Sequence, residues 1–188
     1  MTKKDNHYYI PSAIDESVAD VIIKQLSDVE LTPGLVREID DGAILSDTRM
    51  AKICWLPTDH WISGMMAHFV RQANLHHFHY DLYDWNDKIQ YTVYNEGDHY
   101  RWHVDSAKSS IHQNFDVYRK LSISLCLTTD YEGGEFQLHH EPPRSIGRYK
   151  MKCGDVIIFS SDTPHRVRPV RSGQRISLVG WFGGPAWK

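Results

Sequence analysis

The chain has 188 residues, 41% of them apolar and 24% charged, with a formal net charge of −3. That is one ordinary domain's worth, able to bury a core without disulfides, and it excludes collagen-like, low-complexity and disulfide-stapled architectures. The acidic balance argues against a protein whose main affinity comes from neutralising phosphates, which usually shows as a basic domain, so no nucleic-acid partner is expected.

Met1 to Ser12 read as a polar lead-in without the apolar region of a secretory signal. No run approaches the ~18 consecutive apolar residues of a membrane span. Ser12 is placed to cap a helix, with Asp15 three positions on as a weak capping box. Val18, Val21, Ile22 and Leu26 then recur at helical spacing as far as Asp28. Pro33-Gly34 marks a turn, Gly34–Ile39 reads as a strand, Asp40-Asp41-Gly42 as a second turn and Ile53–Leu56 as another strand. Thr58 looks like an N-cap, and Trp61, Met65, His68, Phe69 and Ala73 predict a helix from Thr58 to about His76 whose apolar stripe packs on a sheet.

From His77 the texture changes. Short apolar or alternating runs at 77–83, 88–95, 100–105, 119–128, 134–139, 155–160, 164–168 and 174–182 are separated by Gly, Asp, Asn and Pro clusters. Many short strands between turn signals suggest a β sandwich or barrel. The expected organisation is a single domain over 1–188, with helical support at about 12–76 and a β core at about 77–182. Ser106–Tyr118 and Glu141–Lys150 read as long loops able to gate substrate. Cys54, Cys126 and Cys153 are too few and scattered for a zinc site or disulfide framework. They read as buried free thiols, which suits a reducing, cytoplasmic location.

Chemistry concentrates in the β half. Residues 100–105 read Tyr-Arg-Trp-His-Val-Asp. On a strand, residues two apart share a face, so His103 and Asp105 are expected to bind one ion together. His165, just past the buried-looking run Asp155–Ser161, is the candidate third ligand. Two His and one carboxylate leave positions open on a metal, as oxygen-activating Fe(II) sites require. Arg175, ten residues beyond His165, offers a fork of N–H donors suited to a carboxylate. Other His groupings, including His99, His139-His140 and His76-His77-x-His79, lack a carboxylate at useful spacing and are read as non-ligands. Arg166, Arg168 and Arg171 read as a solvated face, with contact to an acidic substrate as the second reading.

At these residues the sequence resembles the Fe(II)/2-oxoglutarate-dependent dioxygenases, and more narrowly their prolyl 4-hydroxylase-like branch. The likeness runs from about Ile53 to Lys188 and is strongest in three blocks: Tyr94–Asp105, Arg119–Leu125 followed by Tyr131–Phe136, and Gly154–Trp181 with His165 and Arg175 inside it. The resemblance implies a mainly β double-stranded β-helix, or jelly roll, braced by N-terminal α-helices. It implies Fe(II) on His103, Asp105 and His165, and 2-oxoglutarate on Arg175. Tyr94 and Ser177 are implied beside that co-substrate, and Trp181 as a pocket wall. O₂ is the second co-substrate and ascorbate a candidate reductant. Asp105 fills the position that halogenating relatives leave open, which favours hydroxylation. Two departures stand out: Arg175 replaces the Lys of many prolyl 4-hydroxylases, and Cys126 stands where some relatives place a second co-substrate Tyr.

The activity implied is oxidative decarboxylation of 2-oxoglutarate coupled to hydroxylation of a C–H bond, with a prolyl residue of a peptide or protein as the leading substrate. A free amino acid or other small molecule is the alternative, and a non-catalytic jelly-roll sensor or binding module the second. A nucleic-acid demethylase of the same superfamily would usually carry Arg where this chain has Trp181. A monomer or homodimer without membrane association is expected.

Overall fold

The computed structural model describes residues 6–34, 48–106, 117–140 and 145–187. In chain order the elements are β1 (His7–Ile10), α1 (Glu16–Gln25), β2 (Thr32–Pro33), β3 (Arg49–Met50), β4 (Lys52–Leu56), α2 (Trp61–Ala73), β5 (Ile89–Tyr94), β6 (His99–His103) and β7 (Val117–Cys126). There follow β8 (Tyr131–Gly133), β9 (Phe136–His140), β10 (Ser145–Tyr149), β11 (Val156–Ser160), β12 (His165–Val167), β13 (Val170–Gly173) and β14 (Arg175–Pro185). A seven-stranded major sheet runs β1-β11-β7-β14-β5-β4-β2, and a five-stranded minor sheet runs β10-β9-β12-β6-β3. β8 and β13 form a separate pair. This is a jelly roll, antiparallel throughout its sheets, as expected.

The major sheet is sorted by period-two alternation. Its outer face carries Tyr91 and Val93 of β5, Leu121, Ile123 and Leu125 of β7, Val156 and Ile158 of β11, and Ile176 and Leu178 of β14. The helices lie on this face. Ala19, Ile22 and Leu26, and Ile62, Met66, Val70 and Ala73 at spacings of three and four, are buried in the same cluster. Each fully buried aliphatic side chain there contributes about 1.5–3 kcal/mol, so a charge at Met66 would break the helix–sheet contact. The inner face, toward the minor sheet, carries a second cluster with Phe136, Leu138, Ile157 and Phe159.

Several expectations change at element ends. α1 starts from Asp15 rather than Ser12, without a side-chain cap, and stops at Gln25 rather than Asp28. Ser12 takes a left-handed φ of 47°, and its N–H donates to Asp155. α2 is capped by His60, whose Nδ1 accepts from the Ile62 N–H at 3.3 Å, and not by Thr58. It passes into a π-helical turn at Asn74–Phe78.

The run 77–83 is not a strand. His79 is left-handed, and the Asn74 side chain bonds both the N–H and the C=O of Tyr80, doing what a sheet partner would do. The lead-in contains β1, which pairs with β11 and is tied down by Tyr9 donating to Asp155 at 2.5 Å. The proposed loop 141–150 contains β10, an edge strand paired with β9. Its residues are exposed or half-buried, Gly147 among the half-buried, and carry little alternation to read. The strand proposed at 34–39, apart from Gly34, the turn at 40–42 and residues 107–116 of the other loop lie outside the described residues. All three cysteines are free, but only Cys126 is fully buried.

Candidate active site

β6 and β12 pair with His103 opposite His165 and Tyr100 opposite Val167. Two residues of β6, Arg101 and Trp102, therefore stand against Arg166 alone, which is a β-bulge. Strict alternation from Tyr100 would send His103 outward. The bulge turns it back, so Tyr100 and His103 both line the space between the sheets, with rings stacked at 3.5 Å and 13°. β6 ends at His103, so the shared strand face expected for His103 and Asp105 is corrected. Asp105 lies past the strand, held by its N–H donating to the Ser161 carbonyl at 2.9 Å. Arg119 donates to the Asp105 carbonyl at 3.3 Å, pairs with Asp87 at 2.7 Å, and lies 4.2 Å over the Trp181 ring.

His103 Nε2 is 3.6 Å from Asp105 Oδ1, and His165 Nε2 is 3.4 Å from Asp105 Oδ2. The donor atoms of the three all lie within 4.8 Å of one another, the one such group found among the described residues. Metal–ligand bonds of about 2.1 Å place neighbouring donors roughly 3 Å apart, so one first-row ion fits with small adjustment. Each imidazole has its Nδ1 against a backbone carbonyl, Arg101 at 2.8 Å and Thr163 at 3.0 Å. Donation from Nδ1 leaves the Nε2 lone pair for a metal. Burial, with the neighbouring His165, pulls His103 down to about 3, keeping the imidazole neutral as a ligand must be. Burial pushes the Asp105 carboxyl up, but His165, His103 and Arg119 outweigh it and hold it below the usual carboxylate range.

A cavity of about 350 Å³ connects this group to Arg175 and is also lined by Tyr94, Ser177 and Trp181. Arg175 and Tyr94 are cross-strand partners on β14 and β5, and the guanidinium sits 5.6 Å from the Tyr94 ring centre. Arg175 is 1% exposed. It donates to Ser177 Oγ at 3.1 Å, its Nε has no partner, and no carboxylate of the described residues pairs with it. A buried cation without an anion is costly, so this cavity suits a ligand that brings a carboxylate to its inner end. Gly133 and Gly134 are both left-handed, and a Cβ on Gly134 would stand 3.2 Å from the Arg175 side chain. Cys126 does not line this cavity: it is buried opposite Ser177, with its Sγ 3.7 Å from the Tyr131 hydroxyl.

Arg49, Trp55, Gln90, Tyr100, Ser124 and Arg119 also line the cavity and are not among the site residues expected from sequence. Part of the signal was available. Trp55, Gln90, Val179 and Ser124 form one cross-strand row on the inner face, and Gln90 shares the parity of Tyr94. Tyr100 could not have been found, because only the bulge brings it inward beside His103.

The sequence model of the 2OG-Fe(II) oxygenase superfamily matches residues 89–183, a span that contains every site residue expected from sequence. Among curated proteins, a PKHD-type hydroxylase of Alteromonas mediterranea is 38% identical over 94 residues, covering 47% of this chain and 40% of that protein. One from a Psychrobacter species is 37% identical over 95 residues, covering 48% and 36%. The chain thus spans about two fifths of the length of the curated relatives it matches. Among solved structures, a Pseudomonas putida prolyl-4-hydroxylase superposes with a TM-score of 0.71 at 20% identity, over 97% of this chain and 94% of that one. A Trichoplax adhaerens prolyl hydroxylase, solved with a peptide fragment of the hypoxia inducible factor oxygen degradation domain, gives 0.74 at 17% identity, over 94% and 83%.

Proposed function

We propose that this chain, which belongs to the 2OG-Fe(II) oxygenase superfamily, is one oxygenase domain that hydroxylates a prolyl residue in a peptide or protein. The observation that carries the reading is the single cavity joining a His-Asp-His donor group to a buried, anion-free Arg175.

His103, Asp105 and His165 would hold Fe(II) on one face, leaving the other face for exchangeable ligands. Arg175 would take the far carboxylate of 2-oxoglutarate, with Ser177 orienting the guanidinium and Tyr94 beside it. When bound, iron, 2-oxoglutarate and O₂ supply the oxidation: one oxygen atom enters the substrate C–H bond and the other enters succinate, with release of CO₂. The protein's part is to fix geometry and exclude water. Trp181 walls the cavity, and Trp55, 44% exposed, and Val104, 50% exposed, give its mouth an apolar rim that suits a pyrrolidine ring. Ascorbate would serve as an auxiliary reductant.

Among the described residues no helix is long and apolar enough to cross a membrane, and the three free thiols support a cytoplasmic location.

Anaerobic addition of Fe(II) and 2-oxoglutarate should give a visible charge-transfer band that His103→Ala lacks. Absence of both the band and succinate formation in the wild type would rule out the oxygenase. A 16 Da gain on proline-containing peptides tests the substrate, and gain on free proline or another small molecule alone would move the assignment to small-molecule hydroxylation.

A further inference from the structure

The outer face of the minor sheet carries a feature that the active site does not use. Arg148 of β10 and Arg166 of β12 both stand opposite Gln137 of β9, so the three form one cross-strand row. Like charges in one row of a sheet are unfavourable. Here the residue between the two arginines is an uncharged Gln, 5% exposed. Arg168 follows two positions after Arg166, and the three arginines line a groove of about 430 Å³ that also holds Glu135 and Arg171.

Arg171 is paired with Glu132 at 3.3 Å. Arg148, Arg166 and Arg168 have no carboxylate partner among the described residues. Burial, and then the charges of Arg168 and Arg148, pull the Arg166 guanidinium below its usual range, as crowding of unpaired cations should.

Arg166 is held ready. Its Nε donates to Gln137 Oε1 at 2.8 Å, and its guanidinium lies 4.6 Å over the Trp102 ring. The remaining N–H groups are left to a ligand. Beside the arginine row runs a second row of Ile146, 44% exposed, opposite His139, with Trp102 packed edge-on against His139 at 4.6 Å. Cations beside an exposed aliphatic and an aromatic suit a peptide better than a polyphosphate. Spacing agrees: residues two apart on an extended chain are roughly 6.6 Å apart, and residues across two strand spacings roughly 9.5 Å. Acidic side chains at alternate positions of an extended peptide would meet Arg166 and Arg168 in turn. The apolar row lies one residue beyond the row of His103, His165 and Leu138, at the end of the sheet where Val104 stands beside the cavity mouth.

We propose that this groove is a docking site for an acidic segment of the peptide or protein substrate, seated on Arg148, Arg166 and Arg168 and separate from the catalytic cavity. It rests on the reading that the substrate is a peptide, and it is testable without turnover. The probe is a fluorescent peptide with Glu at alternate positions and no proline, titrated into the full chain with fluorescence anisotropy as the readout.

The Glu peptide should bind at least about tenfold tighter than its Gln counterpart, and the Arg148→Gln/Arg168→Gln double variant should remove that preference. Arg166→Lys, which keeps the charge but loses the Gln137 bond and the ring contact, should weaken binding several-fold. Unchanged melting temperature and succinate formation in the double variant would establish that only docking was lost. Equal affinity for the Glu and Gln peptides, full binding by the double variant, or displacement by tripolyphosphate or a single-stranded oligonucleotide at lower concentration than by unlabelled Glu peptide would each overturn the proposal. Because the probe has no proline, failure to hydroxylate prolyl peptides and failure to dock are separate results.

Discussion

The two faces of the major sheet are made by the same strands and could hardly differ more. Toward the helices, β5, β7, β11 and β14 present mainly aliphatic and aromatic side chains. Toward the minor sheet, the alternate positions of β5, β7 and β14 include Gln90, Thr92, Ser122, Ser124, Arg175 and Ser177, all buried, beside the apolar Ile157 and Phe159 of β11. One face carries the transfer free energy that holds the fold together. The other carries buried polar groups, which stabilise little and have to be satisfied by one another or by a ligand. Stability and chemistry are thus separated by the two-residue repeat of the strand, and each should be removable without the other.

The largest break on the polar side is His103→Ala. Turnover should fall by at least about a thousandfold, which is about 4 kcal/mol of lost transition-state stabilisation, while the melting temperature of the metal-free protein stays close to wild type. A variant that retains more than a tenth of wild-type succinate formation would show that His103 is no ligand. On the apolar side, Ile123→Ala opens a void in a fully buried cluster. It should lower stability by about 2–5 kcal/mol, read by denaturant unfolding, with the half-saturating 2-oxoglutarate concentration unchanged.

Arg175→Met tests the boundary between the two faces. Affinity for 2-oxoglutarate should fall about a hundredfold, since charge-assisted hydrogen bonds are worth roughly 1.5–3 kcal/mol each. Stability of the unliganded protein should hold or rise, because a buried cation without an anion is removed. Saturating 2-oxoglutarate with Mn(II) should then raise the melting temperature of wild type but not of this variant. A large loss of stability would mean that Arg175 is a structural residue. The smallest effect is expected of Ser177→Ala, which removes the hydroxyl that accepts from Arg175. A few-fold rise in half-saturating 2-oxoglutarate, about 1 kcal/mol or less, should appear in steady-state assays with stability nearly unchanged.

This separation was partly visible in the chain itself. Leu121-Ser122-Ile123-Ser124-Leu125-Cys126 alternates in plain sight, and β7 follows it residue for residue. The spacing of His103, Asp105, His165 and Arg175 marked residues that the fold does bring around one cavity. Other features depended on partners that a linear reading cannot supply. β1 is a strand because β11 offers it an edge, and β10 because β9 does. The run at 77–83 has the composition of a strand, but Asn74 satisfies Tyr80 locally and no neighbouring strand is needed. Arg119 is three strands' worth of context: its role is set by Asp87, Trp181 and the Asp105 carbonyl, none of them near it in sequence.

The bulge at Arg101 and Trp102 acts on the sheet as an inserted letter acts on a reading frame. Upstream of it, the inward parity belongs to Tyr100; downstream, it belongs to His103. Straightening the bulge into a regular ladder at the same residue count would turn the imidazole of His103 to the surface, although every residue of the site would still be present.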